Sequence, residues 1–185
     1  MAATTAIAAG SHAAAPDAAV AAKDPAADIA TLDPVFDCFR MNTAWGFALA
    51  GTLIDSHGNI YRYSMRGKGW APATTQADGV TYLHEADLRA KFALAQRTGS
   101  VDAAALAENS ALIARAAEGR IERTDTGTRD AGASTCHAYV HDEAQKRYRD
   151  IELGSDGGVS DMRDINTAVE ARSLLAWLAS VGVAR

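Results

Sequence analysis

The sequence is poor in the residues that most directly reveal a partner or a compartment. Aromatic residues make up only 6% of its 185 residues, and there are two cysteines. Basic residues are not in excess, since the formal net charge is -5 and the pI is about 5.5. A nucleic-acid-binding protein normally has a basic excess that neutralises phosphates. The composition therefore argues against a nucleic-acid partner.

Long apolar runs and catalytic motifs are also missing. No run approaches the roughly 18 apolar residues that a transmembrane helix requires. The sequence has no GxSxG, HExxH or GxGxxG motif. Residues 55–59 resemble a short calcium loop, but the further acidic ligands and the distal glutamate are lacking, so a turn is favoured. We predict no transmembrane segment, no metal, no cofactor and no assignable catalytic residue.

The first 32 residues differ in composition from the rest of the chain. They are mostly alanine with scattered Pro, Asp, Thr and Gly. Such a segment buries too little apolar surface to offset the entropy of ordering. No basic residue precedes its alanine run, unlike a signal peptide. We predict a disordered leader over residues 1–32, typical of a tether left when a signal or lipid-anchor segment is removed, and a single globular domain over residues 33–185.

The two cysteines, Cys38 and Cys136, have no zinc-ligand spacing. A disulfide between them would close a loop of about 100 residues and contribute on the order of 4–5 kcal/mol. Such a bond implies an oxidising compartment. The alternative is two separate buried thiols in a cytosolic protein. Together with the leader, the cysteines favour a disulfide and a periplasmic or secreted location in the bacterial envelope.

Two hairpins are predicted from alternating apolar residues. The first spans residues 45–65, with a glycine-containing connector at residues 55–58. The first of its two strands has Trp45, Phe47, Leu49 and Leu53 at one parity, and the second has Tyr61, Tyr63 and Met65. The second hairpin joins residues 136–140 to residues 148–153. Alternate side chains of a strand point to opposite faces, so each strand can present one apolar face.

Helical periodicity predicts helices over residues 84–97 and 101–118, joined as a helical hairpin, and a third helix from Thr167. The element order is thus hairpin, helical hairpin, hairpin, helix. This order predicts an α+β fold with a single antiparallel sheet of about four strands, built from the two hairpins. About three helices are expected to pack mainly on one face of that sheet.

Four residues are candidates for contact with a partner. Trp70 lies in a glycine-rich loop, where tryptophan is either a contact anchor or a lid on the core. Tyr61 and Tyr63 lie either in a half-buried core or on an uncovered aromatic sheet face. His57, at the tip of the first hairpin, is the fourth candidate.

The leading hypothesis for function is an exported bacterial binding protein that recognises another macromolecule. Periplasmic inhibitors and immunity proteins, which block a toxic or lytic enzyme, have this profile of tether, disulfide and acidic surface, and acidic residues suit a basic partner cleft. The alternative is a small extracytoplasmic hydrolase whose site is assembled from dispersed His, Asp and Glu residues, including His84, His137 or His141. Such sites form in space and leave no local motif.

Overall fold

Ten strands of the described chain form one antiparallel sheet in the computed structural model. The structure describes residues 32–43, 46–67, 69–70, 72, 74–77, 79–125, 132–157 and 162–184. The strands are β1 (Pro34–Asn42), β2 (Phe47–Asp55), β3 (Asn59–Gly67), β4 (Thr74–Ala77), β5 (Val80–His84), β6 (Gln96–Ser100), β7 (Ile121–Asp125), β8 (Ala133–Asp142), β9 (Arg147–Gly157) and β10 (Met162–Asn166). The helices are α1 (Glu85–Phe92), α2 (Ala103–Ser110), α3 (Ile113–Ala116) and α4 (Val169–Ser180).

The strands follow the order β4-β5-β9-β8-β1-β2-β3-β6 across the sheet. The first half of β9 pairs with β5, and its second half pairs with β10, which in turn pairs with β7. Both predicted hairpins are confirmed as β2–β3 and β8–β9. In the first hairpin the Asp55 carboxylate accepts hydrogen bonds from the backbone N–H groups of His57 and Asn59. Gly58 follows with a φ of +80°, a conformation that glycine adopts readily.

The prediction of about four strands is wrong, because several strands have no apolar alternation. Gln96–Ser100 begins inside the helix predicted over residues 84–97, and Ile121–Asp125 lies outside every predicted element. All ten of these residues are exposed. They are strands because their backbones pair with β3 and β10, respectively. Backbone pairing of this kind leaves no periodic signal in the side chains.

Of the four described helices, three pack on one face of the sheet and one packs on the other. We call the side on which Phe36, Cys38 and Ile54 lie face A, and the side on which Asp37 and Tyr63 lie face B. Helix α1 packs on face B, whereas α2, α3 and α4 pack on face A. The sheet therefore separates two apolar cores, and both of its faces must be partly apolar.

The two cores differ in composition. The face A core is aliphatic apart from one phenylalanine and the two cysteines, and its largest members are Phe36, Ile54, Leu153, Leu174 and Leu178. The face B core contains four of the chain's tyrosines, Tyr61, Tyr63, Tyr139 and Tyr148. Tyrosine hydroxyls in a core require hydrogen-bond partners, so buried polar groups are expected on face B.

The final helix begins differently from the sequence-based expectation. Its first flanking residue is Ala168, which provides no side-chain cap. The Thr167 hydroxyl instead accepts a hydrogen bond from the backbone N–H of Arg120. The buried Asn166 side chain accepts from the Ala168 N–H and donates to the carbonyls of Ala116 and Glu152. Asn166 thus joins the start of α4 to α3 and β9.

The predicted disulfide between Cys38 and Cys136 is confirmed. The two residues are direct partners in the register of β1 and β8, with Cα atoms 4.1 Å apart. Both side chains lie on face A and are buried. A buried disulfide is compatible with an oxidising, extracytoplasmic compartment. The predicted leader and Trp45 lie outside the described residues, except for Leu32, which is buried in the face B core.

Candidate functional site

Face A contains an open cavity of about 870 Å³ that crosses the middle of the sheet, which we call the face A trough. Its floor follows the register of the strands. One row of paired residues contains Arg62, Thr52, Cys38, Cys136, Gly154 and Ile165, on six adjacent strands. The next row contains Ala50, Arg40, Ser134, Asp156 and Arg163. The disulfide therefore lies in the centre of the floor.

The trough is concave because small side chains occupy the central strands. Thr52, the two cysteines and Gly154 project little above the sheet, and longer side chains stand at both ends of the same row. Helix α4 forms one wall with Arg172 and Leu175, and Val183 and Ala184 continue that wall. The disulfide and the paired strands fix the floor, so the trough is a preformed feature rather than a gap between mobile loops.

The lining of the trough is locally basic in a protein that is acidic overall. It contains four arginines, Arg40, Arg62, Arg163 and Arg172, and two aspartates, Asp156 and Asp164. Both aspartates already have cationic partners. Asp156 accepts from Arg163 at 2.8 Å, and Asp164 accepts from Arg123 at 2.7 and 2.8 Å.

These ion pairs do not involve all the arginines of the trough lining. The hydrogen bond from the Arg123 guanidinium lowers the pKa of Asp164, which keeps that carboxyl ionised and satisfied. Arg62 and Arg172 form no ion pair with any carboxylate among the described residues, and both are exposed. The trough therefore presents guanidinium groups that are available to an anionic ligand.

Face B also contains charged groups, but they are closed off from solvent. Asp37 and Lys91 form an ion pair of 2.6 Å in which both side chains are fully buried. The Tyr63 hydroxyl donates to Asp37 at 2.7 Å, and the Tyr139 hydroxyl donates to the same carboxylate at 3.5 Å. Gly51 makes this network possible, because a Cβ atom there would lie 2.5 Å from the Tyr63 oxygen.

Aromatic rings enclose the Lys91 ammonium. Its Nζ atom lies 3.7 Å from the centroid of Phe39 and 4.5 Å from that of Trp70. Burial lowers the pKa of Lys91, and the Asp37 carboxylate opposes that shift. Burial also raises the pKa of Tyr63, as does the adjacent Asp37 charge. This closed cluster offers no surface to a ligand.

The structure does not bring the four predicted contact residues together. Tyr61 and Tyr63 are buried in the face B core; Tyr63 also borders the trough, but its hydroxyl points to Asp37. Trp70 is half-buried, and its indole N–H donates to the Asp87 carbonyl at 3.1 Å. His57 is exposed at the β2–β3 turn. Their contact with a partner stays a prediction.

The histidines that the hydrolase alternative would use are also dispersed. His137 contacts Asp150 at 2.6 Å and stacks on Phe39, whereas His141 contacts Glu85 at 3.3 Å. Burial lowers the pKa of His137, but the charge and hydrogen bond of Asp150 outweigh it, so the net shift is upward. Within the described ranges, no group of three His, Cys, Asp or Glu residues could hold a metal ion.

Sequence reasoning missed both charge arrangements for the same reason. The trough residues come from six strands, and the parity of Arg40 with Cys38 and of Ala50 with Thr52 is the one signal that places them on a common face. Asp37 and Lys91 each stand beside a phenylalanine or another apolar residue, but 54 positions separate them. Their pairing is visible only in the tertiary structure.

Comparison with known proteins gives no match to a family model, a curated protein or a solved structure. Among the helices that the structure describes, none has the length and apolar character needed to cross a membrane. The functional argument therefore rests on the geometry of the two faces.

Proposed function

We propose that this protein is an exported binding protein that recognises another protein, and that the face A trough is its contact surface. One observation supports this most strongly: a preformed trough holds exposed guanidinium groups, of which Arg62 and Arg172 have no carboxylate partner among the described residues. Positive groups at a concave surface steer and orient an acidic partner.

The size of the trough suits a ligand that enters it. Its volume of about 870 Å³ lies within the range of roughly 300–1,000 Å³ that is usual for binding pockets. The lining combines apolar groups that are at least partly exposed, such as Ala50 and Leu175, with the hydroxyl of Ser134. Such a mixture of apolar surface and a few polar groups gives both affinity and orientation.

Binding fits the lining better than catalysis does. The two aspartates of the lining are held by arginines, and the described lining residues include no histidine. A general base needs a free lone pair within reach of a substrate proton. An inhibitor or immunity protein is one form of the proposed function, in which a toxic or lytic enzyme inserts a segment into the trough.

The test is affinity capture from extracts of the protein's own organism, with three versions of the chain. We expect the wild type and Trp70→Ala to retain the same stoichiometric partner, and Ala50→Trp, which fills the trough from an exposed position, to lose it. Circular dichroism checks that each variant is folded. Loss of the partner only in Trp70→Ala would move the contact surface away from the trough. Absence of any partner of the wild type would overturn the proposal.

A further inference from the structure

We propose that the ligand of the face A trough is an extended, acidic peptide segment of the partner, about six or seven residues long. This inference rests on the proposed function and specifies its chemistry. It follows from where the arginines stand along the trough, from the length of the trough and from the character of its floor.

The arginines are distributed along the trough rather than clustered. Arg62 stands on β3 and Arg40 on β1, two strands away. Neighbouring strands lie about 4.8 Å apart, which places these two positions about 10 Å from each other. Arg172 lies one helical turn before Leu175, and the Leu175 side chain reaches Gly154 on β9. Since β9 is four strands from β3, Arg62 and Arg172 stand at opposite ends, about 19 Å apart.

This spacing matches an extended chain better than it matches a ligand with one charged head group. An extended peptide advances about 3.1–3.4 Å per residue, so six or seven residues bridge the distance from Arg62 to Arg172. Carboxylates at its two ends and its middle would face Arg62, Arg172 and Arg40. A fatty acid or a lipid phosphate has its charge at one end and can neutralise the arginines at one end only.

The floor between the arginines suits the remaining parts of such a segment. The partly or fully exposed apolar side chains of Ala50, Ile165 and Leu175 offer contacts to small or aliphatic side chains. The hydroxyl group of Ser134 stands beside them and can donate to a peptide carbonyl. Since the central side chains are small, the peptide backbone can approach the sheet closely. The expected ligand therefore has an acidic residue at about every third position, which a polyproline II conformation places on one side, with small apolar residues between.

The test measures binding of synthetic peptides by fluorescence anisotropy. The first peptide has seven residues, with glutamate at the first, fourth and seventh positions and alanine or valine between. The second has glutamine in place of each glutamate, and dodecanoate is the competitor that represents a single-headed amphiphile. We expect the glutamate peptide to bind at least about tenfold more tightly than the glutamine peptide, with an affinity that falls as salt increases.

Substitutions of single arginines show which of them the glutamate peptide contacts. Arg62→Gln and Arg172→Gln should each weaken binding of the glutamate peptide several-fold, and the double variant should abolish its advantage over the glutamine peptide. Arg115→Gln is the matched control, because Arg115 is an exposed arginine of α3 outside the trough lining. Its affinity should equal that of the wild type. Since all three arginines are exposed, the substitutions should leave the fold intact, which circular dichroism verifies.

The possible failures are distinguishable. Equal binding of the glutamate and glutamine peptides, or displacement of the glutamate peptide by dodecanoate at lower concentration than by unlabelled peptide, would overturn the acidic-peptide class. If neither peptide binds but the wild type captures a partner that Ala50→Trp loses, the ligand class is wrong and the proposed function stands. If neither peptide binds and no partner is captured, both proposals fail.

Discussion

Face A and face B are built from alternating residues of the same strands, yet charged side chains are buried and paired on face B and exposed on face A. On β1, Asp37 is fully buried on face B, whereas Arg40 is exposed on face A. On β3, Tyr63 donates to Asp37 inside face B, whereas its neighbour Arg62 stands at the end of the face A trough. One sheet thus supports a closed polar core and an open basic trough.

The difference shows which charges are structural and which are available to a ligand. A charge removed from water must be paired and hydrogen-bonded, as Asp37 is by Lys91 and Tyr63. An exposed arginine is solvated and needs no partner in the folded protein. Arginines therefore remain on face A at little cost in stability, and the proposed recognition of an acidic partner starts from their concentration in one trough.

Removing the disulfide should have the largest effect on stability. The bond joins residues 98 positions apart, and a loop of that length gives a stabilisation of about 4–5 kcal/mol in the chain-entropy model. Cys38→Ser combined with Cys136→Ser should lower the free energy of unfolding by that amount, as measured by urea denaturation. The reduced wild type is the control and should behave alike. A loss below about 1 kcal/mol would mean that the trough floor is held by strand pairing alone.

Breaking the buried ion pair of face B should be nearly as costly. Lys91→Met leaves the Asp37 carboxylate buried without its cation, which should lower the free energy of unfolding by about 3–5 kcal/mol. The double variant Lys91→Met with Asp37→Asn buries no unpaired charge. The asparagine side-chain oxygen can still accept from the Tyr63 hydroxyl, so part of the stability should return. Urea denaturation measures both. Arg62→Gln on face A should change stability by less than about 0.5 kcal/mol. A similar loss from Arg62→Gln would contradict the contrast between the faces.

Adjacent positions on β2 give a smaller and more local comparison. A Cβ at Gly51 would lie 2.5 Å from the Tyr63 oxygen and 2.7 Å from the Phe39 Cβ. Gly51→Ala should therefore cost about 1–3 kcal/mol through overpacking. Ala50→Val, one residue earlier on the open face, should change stability by less than about 0.5 kcal/mol. Thermal unfolding measures the loss of stability in each variant. Equal losses of stability in the two variants would show that face B tolerates the added methyl group.

The pH dependence of stability should reveal His137 on face B. Although burial alone lowers the pKa of His137, Asp150 raises it above 6.5 overall. Protonated His137 then stabilises the fold fully below pH 6.5, and this stability is lost as pH rises through the folded-state pKa. Each tenfold increase in proton affinity corresponds to about 1.4 kcal/mol.

Asp150→Asn should flatten this dependence, because it removes the charge that favours protonated His137. The comparison is made by urea denaturation of both proteins from pH 6 upward. Burial is the largest cause of the raised pKa of Glu152, and the Asp150 charge contributes to it less. A slope that is unchanged in Asp150→Asn would show that His137 does not titrate between the two states.

Parts of this structure were predictable because they depend on neighbours in sequence. The β2–β3 and β8–β9 hairpins follow from apolar alternation around short turns, and both were found where the pattern indicated. Helix α4 was likewise found, with Ala171, Leu174 and Leu178 on its buried side. The exposed edge strand β6 was missed because its side chains contact no core. Its strand conformation comes from pairing with β3.

The sequence by itself determined which residues share a face, since parity along a strand fixes the side to which each side chain points. It also indicated the pairing of Cys38 with Cys136, through their number and their context. Only the tertiary structure decided which strands are neighbours. That order places Arg62, Arg40 and Arg163 along one trough and brings Lys91 to Asp37. Long-range strand order depends on the packing of the whole domain, so no local pattern encodes either arrangement.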